Sequence, residues 1–201
     1  MVRSEKIETF LEAVLKIFVA SNADAETLKF AEKIFKTAKR IPGKPATPTP
    51  TNLPACNYLN DALEHAKSVD GPVSTLATAI NDLLPYLRWV LRPNGENDDD
   101  LFKKKHANAV VIGDGGIETH DSIRIGMSLL APQTRYPDHH HPPEEIYAVL
   151  SQGEWKQGTT DNFFTPGVGG IVHNIPNIVH GMRSKETPLL AVWSLWTGDN
   201  S

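Results

Sequence analysis

Cysteine is nearly missing from this chain. Cys56 is the only one in 201 residues, so no intrachain disulfide can form and a reducing compartment is permitted. Cys56 itself reads as a small packed residue. Positive charge is not in excess either. Twenty Lys and Arg against 24 Asp and Glu leave a net charge of −4, and the lysines are scattered, which argues against nucleic acid as the main partner. Long apolar runs are lacking too, with no stretch near the ~20 residues that a membrane-spanning helix needs. The opening MVRSEKIETFLEAVLKIFVASNA is interrupted by Glu5, Glu8 and Glu12, so no secretory leader is expected and the cytoplasm is the expected location. What is present is ordinary for a globular chain. Apolar residues make up 40% and charged residues 22%, enough for one sizeable domain or a domain with a smaller lobe.

The two halves differ in texture. Ile7, Phe10, Leu11, Val14, Leu15 and Phe18 recur at three- and four-residue intervals, which predicts an amphipathic helix over residues 5–20. Ser21 and Asp24 give a start signal for a second helix with Leu28, Ala31, Ile34 and Phe35 on its inner face. The proline-rich stretch IPGKPATPTPTNLP, residues 41–54, reads as a connector that is neither helix nor sheet. Helical periodicity resumes in NDALEHAKSV and in VSTLATAINDLLPYLRWVL, where Pro85 breaks or kinks the run. The acidic, turn-rich RPNGENDDD, residues 92–100, lacks the glycine and glutamate spacing of a calcium loop and reads as a solvated linker. After residue 105 the period changes from 3.6 to 2. Ile123, Ile125, Met127 and Leu129 alternate with Ser122, Arg124, Gly126 and Ser128. The segments EIYAVLS, GEWKQG, NFFT, GGIVHNI, VHGMRS and LLAVWSLW follow between turn signals, a pattern of antiparallel sandwich or barrel. The expectation is an α+β chain: a helical lobe over residues 1–100, then an antiparallel β-barrel with an apolar core over residues 101–201.

The densest chemistry lies in YPDHHHPPEEIYAVLSQG, residues 136–153. His139 and His141 are two apart, so both can face one side of a strand while His140 faces the other. Glu145 and Tyr147 share that parity after the Pro142–Pro143 bend. Two imidazoles and a carboxylate form a ligand set that borderline divalent metals prefer, and a cation makes a buried Glu145 tolerable. His180, in NIPNIVHGMRS, can be presented by an adjacent strand after a turn at Pro176–Asn177, where Asn177 can adopt positive φ. His173 reads as structural, and His65, His106 and His120 are assigned no chemistry. The helical half holds no comparable cluster. It is expected to cover the barrel mouth or pack beside it without donating ligands.

His-x-His-x-x-x-Glu followed by an apolar strand and Gly153 resembles the first cupin motif, and Gly169 through IPNIVH to His180 resembles the second. Four departures stand out. Gln133 takes the place of a glycine, seven residues instead of six separate Glu145 from Gly153, Asn177 replaces a glycine, and Ser184 replaces an asparagine. A small cupin behind a helical lobe, with Y-x-x-H-x-H-P-P-x-E-I-Y and a tryptophan-rich last strand, is similar to the dimethylsulfoniopropionate lyases of the cupin superfamily, the DddQ-type branch above all. Residues 105–198 carry the likeness. The resemblance implies a double-stranded β-helix barrel and a metal held by His141, Glu145 and His180, with Tyr147 or His139 completing the shell. Tyr136 and Tyr147 fall on tyrosines placed around the substrate.

The implied reaction is a base-catalysed β-elimination that cleaves dimethylsulfoniopropionate to dimethyl sulfide and acrylate. One divalent transition metal ion (Zn, Fe or Mn) would hold the carboxylate and stabilise enolate-like charge. Tyr147 is the first candidate for the base, Tyr136 the second and His139 the next. Trp155, Trp193 and Trp196 are candidates for the sulfonium cation, because aromatic faces attract such groups. Trp193 and Trp196 have opposite parity on one strand, so only one of them faces inward. The expected partner is thus a small sulfonium carboxylate, with no nucleic acid, no membrane, and a homodimer left open. A cupin dioxygenase, a sugar isomerase and a non-catalytic metal-binding cupin remain alternatives on ligand type alone.

Overall fold

The computed structural model describes residues 3–93, 95 and 98–198. Helices come first. α1 spans Glu5–Ala20 and buries Ile7, Phe10, Leu11, Val14 and Phe18 as the spacing predicts, with Ile17 buried in place of the expected Leu15, which is half-buried. α2 spans Ala25–Arg40, and the Asp24 side chain accepts a hydrogen bond from the Thr27 N–H at its start, which satisfies an otherwise orphaned donor. Its inner face differs from expectation in one place: Phe30 is buried while Leu28 is only half-buried. α3 (Leu59–Lys67) and α4 (Pro72–Leu83) complete the lobe. Gly71 adopts φ 88° just ahead of Pro72, the first residue of α4, where the missing N–H costs nothing. The run ends in a 3-10 turn, Leu84–Tyr86, at Pro85.

Among the described residues, ten strands follow or interleave. They are β1 (Lys44–Pro45), β2 (Trp89–Val90), β3 (His106–Ile112), β4 (Glu118–Thr119), β5 (Ile123–Leu130), β6 (Glu145–Val149), β7 (Glu154–Gln157), β8 (Ile171–Asn174), β9 (His180–Arg183) and β10 (Leu189–Trp196). One sheet has the order β1-β4-β3-β5-β10-β6-β8, with β2 paired to β3, and a second, two-stranded sheet joins β7 to β9. Pairing between these strands is antiparallel except for the parallel step between β3 and β4, and Thr51 and Arg88 add an isolated parallel bridge. Three expectations are corrected. The proline-rich connector does enter the sheet, because Lys44–Pro45 lies along Thr119–Glu118 at an edge, where proline's lack of an N–H is tolerated, and Pro54–Tyr58 forms a 3-10 turn. NFFT forms only an isolated bridge, Phe164 to Trp155. The acidic linker is partly structured: Asp99 caps a short helix, α5 (Asp100–Lys105), by accepting from Phe102 N–H at 2.9 Å, and Arg92 donates to Asp98 at 2.7 Å. Asn94, Glu96 and Asn97 of that linker lie outside the described residues.

The pleat decides what each face does. Ile123, Ile125, Met127 and Leu129 on β5, Ile146 and Ala148 on β6, and Val192 on β10 join the helices in one continuous core. The opposite face carries Tyr147, Val149, Ala191 and Trp193 in a second cluster with Trp155 of β7 and Met182 of β9. Hence the helices pack on the outer face of the large sheet, and the polar members of the β5 alternation point inward instead of to solvent. The core of the strand region is for this reason not uniformly apolar.

One buried ion pair ties the layers together. The Arg3 guanidinium donates to both Glu118 oxygens, at 2.8 and 2.7 Å, and to the Ala38 carbonyl at the end of α2. Glu118 also accepts from Gly43 N–H at 3.0 Å. Removing one partner of a buried pair strands the other charge. Glu118→Gln is therefore expected to destabilise the protein by about 3 kcal/mol, measured by urea unfolding, and an unchanged midpoint would contradict this account.

Candidate metal centre

Three histidines converge from two segments. His139 and His180 are paired by a short antiparallel bridge, His139 N–H to His180 O at 3.0 Å and the reverse at 2.9 Å. His141 is held next to them because its carbonyl accepts from Asn177 N–H at 2.9 Å. Asn177 has φ 61°, the left-handed conformation expected of that turn. Gln133 also takes positive φ, 53°, so both residues that replace motif glycines adopt the conformation for which glycine is favoured. The Ser184 hydroxyl closes the same loop by donating to Ala131 O and accepting from Thr134 N–H.

Each imidazole is oriented by its far nitrogen. His139 Nδ1 lies 3.1 Å from Pro137 O, His141 Nδ1 lies 2.8 Å from Pro143 O, and His180 Nδ1 lies 2.9 Å from Ile178 O. A carbonyl only accepts, so each Nδ1 carries the proton, and a ring in its neutral form then presents an Nε2 lone pair. One nitrogen from each of the three rings lies within 4.8 Å of the others. The Glu145 carboxylate faces two of them, 3.4 Å from His141 Nε2 and 3.3 Å from His180 Nε2. His180 Nε2 is buried with no hydrogen-bond partner. A lone pair aimed at a carboxylate needs a cation between them, so the donor set fits a borderline divalent ion.

The electrostatics agree. Burial alone would raise the Glu145 pKa, but donors and positive charge at the His141 and His180 positions hold it well below the ordinary carboxylate range, a role that a bound cation takes over when the rings are neutral. For His141, burial pulls down while Glu145 pulls up, and the net shift is upward. His139 is depressed to about 4, first by burial and then by its neighbour His180, so its ring stays neutral at ordinary pH. Glu145 is further fixed by Asn174, whose Nδ2 donates to Oε2 at 3.1 Å. Asn174 accepts in turn from Gln157 at 2.8 Å.

Beside this cluster lies a cavity of about 420 Å³. Tyr136, Tyr147 and Trp193 line it, together with Arg92, Asn108, Arg124, Ser128 and the histidine loop. Both tyrosines are buried, and burial raises both phenols above their ordinary value. Glu145 adds to this at Tyr147, while Arg92 opposes it at Tyr136. Two tryptophans do not join them. Trp155 sits under β7, packed against the inner cluster and bridged to Phe164. Trp196 turns to the helical side, with Lys33 Nζ 3.8 Å above its ring. Parity thus separates Trp193 from Trp196 as expected. His173 also faces the helices, bonded to Thr27 and Glu144 and stacked on Phe30. No described residue before 89 lines the cavity, but Val90, Leu91, Arg92 and Pro93 form part of its wall. Sequence reasoning missed Asn108, Ser128, Arg92 and the His106 beside them. Ser128 donates to Asn108 Oδ1, which lies 3.2 Å from His106 Nε2, and His106 meets Tyr136 edge-on. The available signal was the polar half of the β5 alternation.

Fold and site together define an α+β protein with a mostly antiparallel sheet and a histidine cluster that can hold a metal ion. More narrowly, the sequence model of the dimethylsulfoniopropionate lyase family matches residues 28–191, and the chain belongs to that family. Dimethylsulfoniopropionate lyase DddQ of Ruegeria pomeroyi is 30% identical over 115 residues, covering 56% of this chain and 55% of that protein. The putative dimethylsulfoniopropionate lyase DddL of Cereibacter sphaeroides is 24% identical over 150 residues, covering 74% and 61%. The chain thus matches little more than half the length of these curated relatives. The crystal structure of the DMSP lyase DddQ from Ruegeria pomeroyi superposes with a TM-score of 0.72 at 20% identity, covering 96% of this chain and 93% of that one, which shows the fold. No helix among the described residues is long and apolar enough to cross a membrane.

His139→Ala, His141→Ala and His180→Ala should each lower metal affinity by more than ~10-fold, since changes behind the ligands alone cost that much. Metal content after dialysis and a competition titration check this. Native metal retention in all three variants would remove the assignment.

Proposed function

We propose that the protein is a metal-dependent carbon–sulfur lyase that cleaves dimethylsulfoniopropionate to dimethyl sulfide and acrylate by β-elimination. The observation that carries the reading is the convergence of three Nε2 lone pairs and a buried carboxylate beside a cavity lined by two tyrosines and a tryptophan, in a chain of the dimethylsulfoniopropionate lyase family. We read the inner face of the large sheet, with β7 and β9 across from it, as the double-stranded β-helix barrel of a cupin. Residues 1–100 and 101–201 are its two parts, although their outer core is shared.

His141, Glu145 and His180 are the proposed ligands, with His139 the better fourth donor because its ring lies 4.2 Å from that of His180, centroid to centroid. Zinc, iron and manganese all suit such a set. When bound, the ion supplies a Lewis acid for negative charge on the substrate and a positive field that offsets Glu145. Tyr147 is the proposed base. It follows Glu145 by two residues on β6 and points to the same face, and relief of the Glu145 charge brings its phenol down from the raised value that burial and Glu145 impose. Tyr136 and Trp193 provide aromatic faces for the sulfonium group. The C–S electron pair stays with sulfur, so the leaving group departs as neutral dimethyl sulfide.

The direct test is dimethyl sulfide in the headspace over purified, metal-loaded protein given dimethylsulfoniopropionate. Tyr147→Phe keeps the ring and deletes the ionisable oxygen, so kcat should fall by roughly 10² or more with metal retained. Tyr136→Phe should raise KM with a smaller loss of kcat. Near-native kcat in Tyr147→Phe with a dead Tyr136→Phe would reverse the two roles, and activity in both would point to His139.

A further inference from the structure

The cavity contains one guanidinium that no carboxylate pairs with among the described residues. Arg124 lies on the inner face of β5 and lines the cavity. The register places Arg124, Leu195 and Glu145 in one row across β5, β10 and β6, and two strand spacings set Arg124 and Glu145 about 10 Å apart at their backbones. Its guanidinium carbon is 5.6 Å from the centre of the Trp193 ring. That ring can lie so far over β5 because residue 126 is glycine: a Cβ there would meet Trp193 Cζ2 at 2.4 Å.

Arg124 is unmatched in charge. Its Nε is buried without a hydrogen-bond partner, and among the described residues no carboxylate forms an ion pair with it. Arg92, the other guanidinium lining the cavity, is by contrast committed to Asp98. A buried donor on a charged group is costly when unpaired, and a planar guanidinium prefers a carboxylate that it can grip with two parallel bonds.

We propose that Arg124 is the residue that binds the substrate's carboxylate and so selects small monocarboxylates for this cavity. The identity of that substrate rests on the lyase reading, whereas the carboxylate site does not. Arg124 also fixes orientation: it repels a sulfonium, which is left to Tyr136 in preference to Trp193, whose ring Arg124 already faces. In the elimination the α-proton passes to the base, a carbon–carbon double bond forms, and the carbon–sulfur pair leaves on neutral dimethyl sulfide. Negative charge grows on the carboxylate as the proton departs, so donors held there bind the transition state more strongly than the ground state.

Calorimetric titration of propionate into metal-loaded protein tests the site without turnover. Arg124→Gln should weaken propionate binding about tenfold or more, with Arg124→Lys intermediate because it keeps the charge and loses the fork. Metal content and circular dichroism should match the native protein. In turnover assays the same substitution should raise KM for dimethylsulfoniopropionate by a similar factor. Propionate affinity unchanged within twofold in both variants, or no propionate binding by the native protein, would overturn the proposal. If Arg124→Gln does not fold, Arg124→Lys decides, since full native affinity in it excludes a forked grip. Failure of the lyase reading looks different: the native protein binds propionate through Arg124 yet releases no dimethyl sulfide.

Discussion

An ionised carboxylate with 3% of its surface exposed does not persist in a protein interior by itself, because the loss of hydration is large. Glu145 is held ionised by what surrounds it: two imidazoles within 3.4 Å, an amide donor from Asn174, and lone pairs that call for a cation. Much of the surrounding structure serves this arrangement. Gln157 holds Asn174, the backbone pairs His139 with His180, and Asn177 turns the chain so that His141 O is met. Lys156, itself buried, pairs with Asp138 at 2.6 Å and so anchors the loop that carries the histidines.

The sheet makes the arrangement affordable by dividing labour between its faces. Ile146 and Ala148 pack on the helices while Glu145, Tyr147 and Val149 face the other way. Apolar burial on the outer face stabilises β5, β6 and β10 independently of the site, which lets the inner face hold polar groups that add little to stability. Changes in the cavity should for that reason be read in metal binding and turnover more than in unfolding.

Much of this was legible in the sequence because it depends on local periodicity. The 3.6-residue spacing from Ile7 to Phe18 and the alternation in β5 follow from helix and strand geometry alone. The convergence of His139, His141, Glu145 and Tyr147 followed from parity within one segment, and Trp193 was separated from Trp196 in the same way. What escaped depended on pairing between distant segments. The strap at Lys44–Pro45 becomes a strand only because Thr119 and Glu118 lie beside it. Asn108 and Ser128 meet only because β3 and β5 are in that register. Trp155 has the residue type for a cation site, but β7 belongs to the other sheet and its ring packs in the inner cluster without lining the cavity. Arg124 is in sequence only one polar member of the β5 alternation, and its lack of a carboxylate partner gains meaning from its place in the cavity.

The proline-rich strap has an effect beyond the fold it completes. Sheet edges are templates on which a foreign strand can continue the hydrogen-bonding ladder. Here the rim beyond β4 is hemmed by two residues, one a lysine whose charge resists stacking and the other a proline with no N–H to offer. That border is blunted against a strand adding in regular register. The same composition that made residues 41–54 look like idle tether makes them an insulating selvage, keeping the sheet of one molecule from growing into the next.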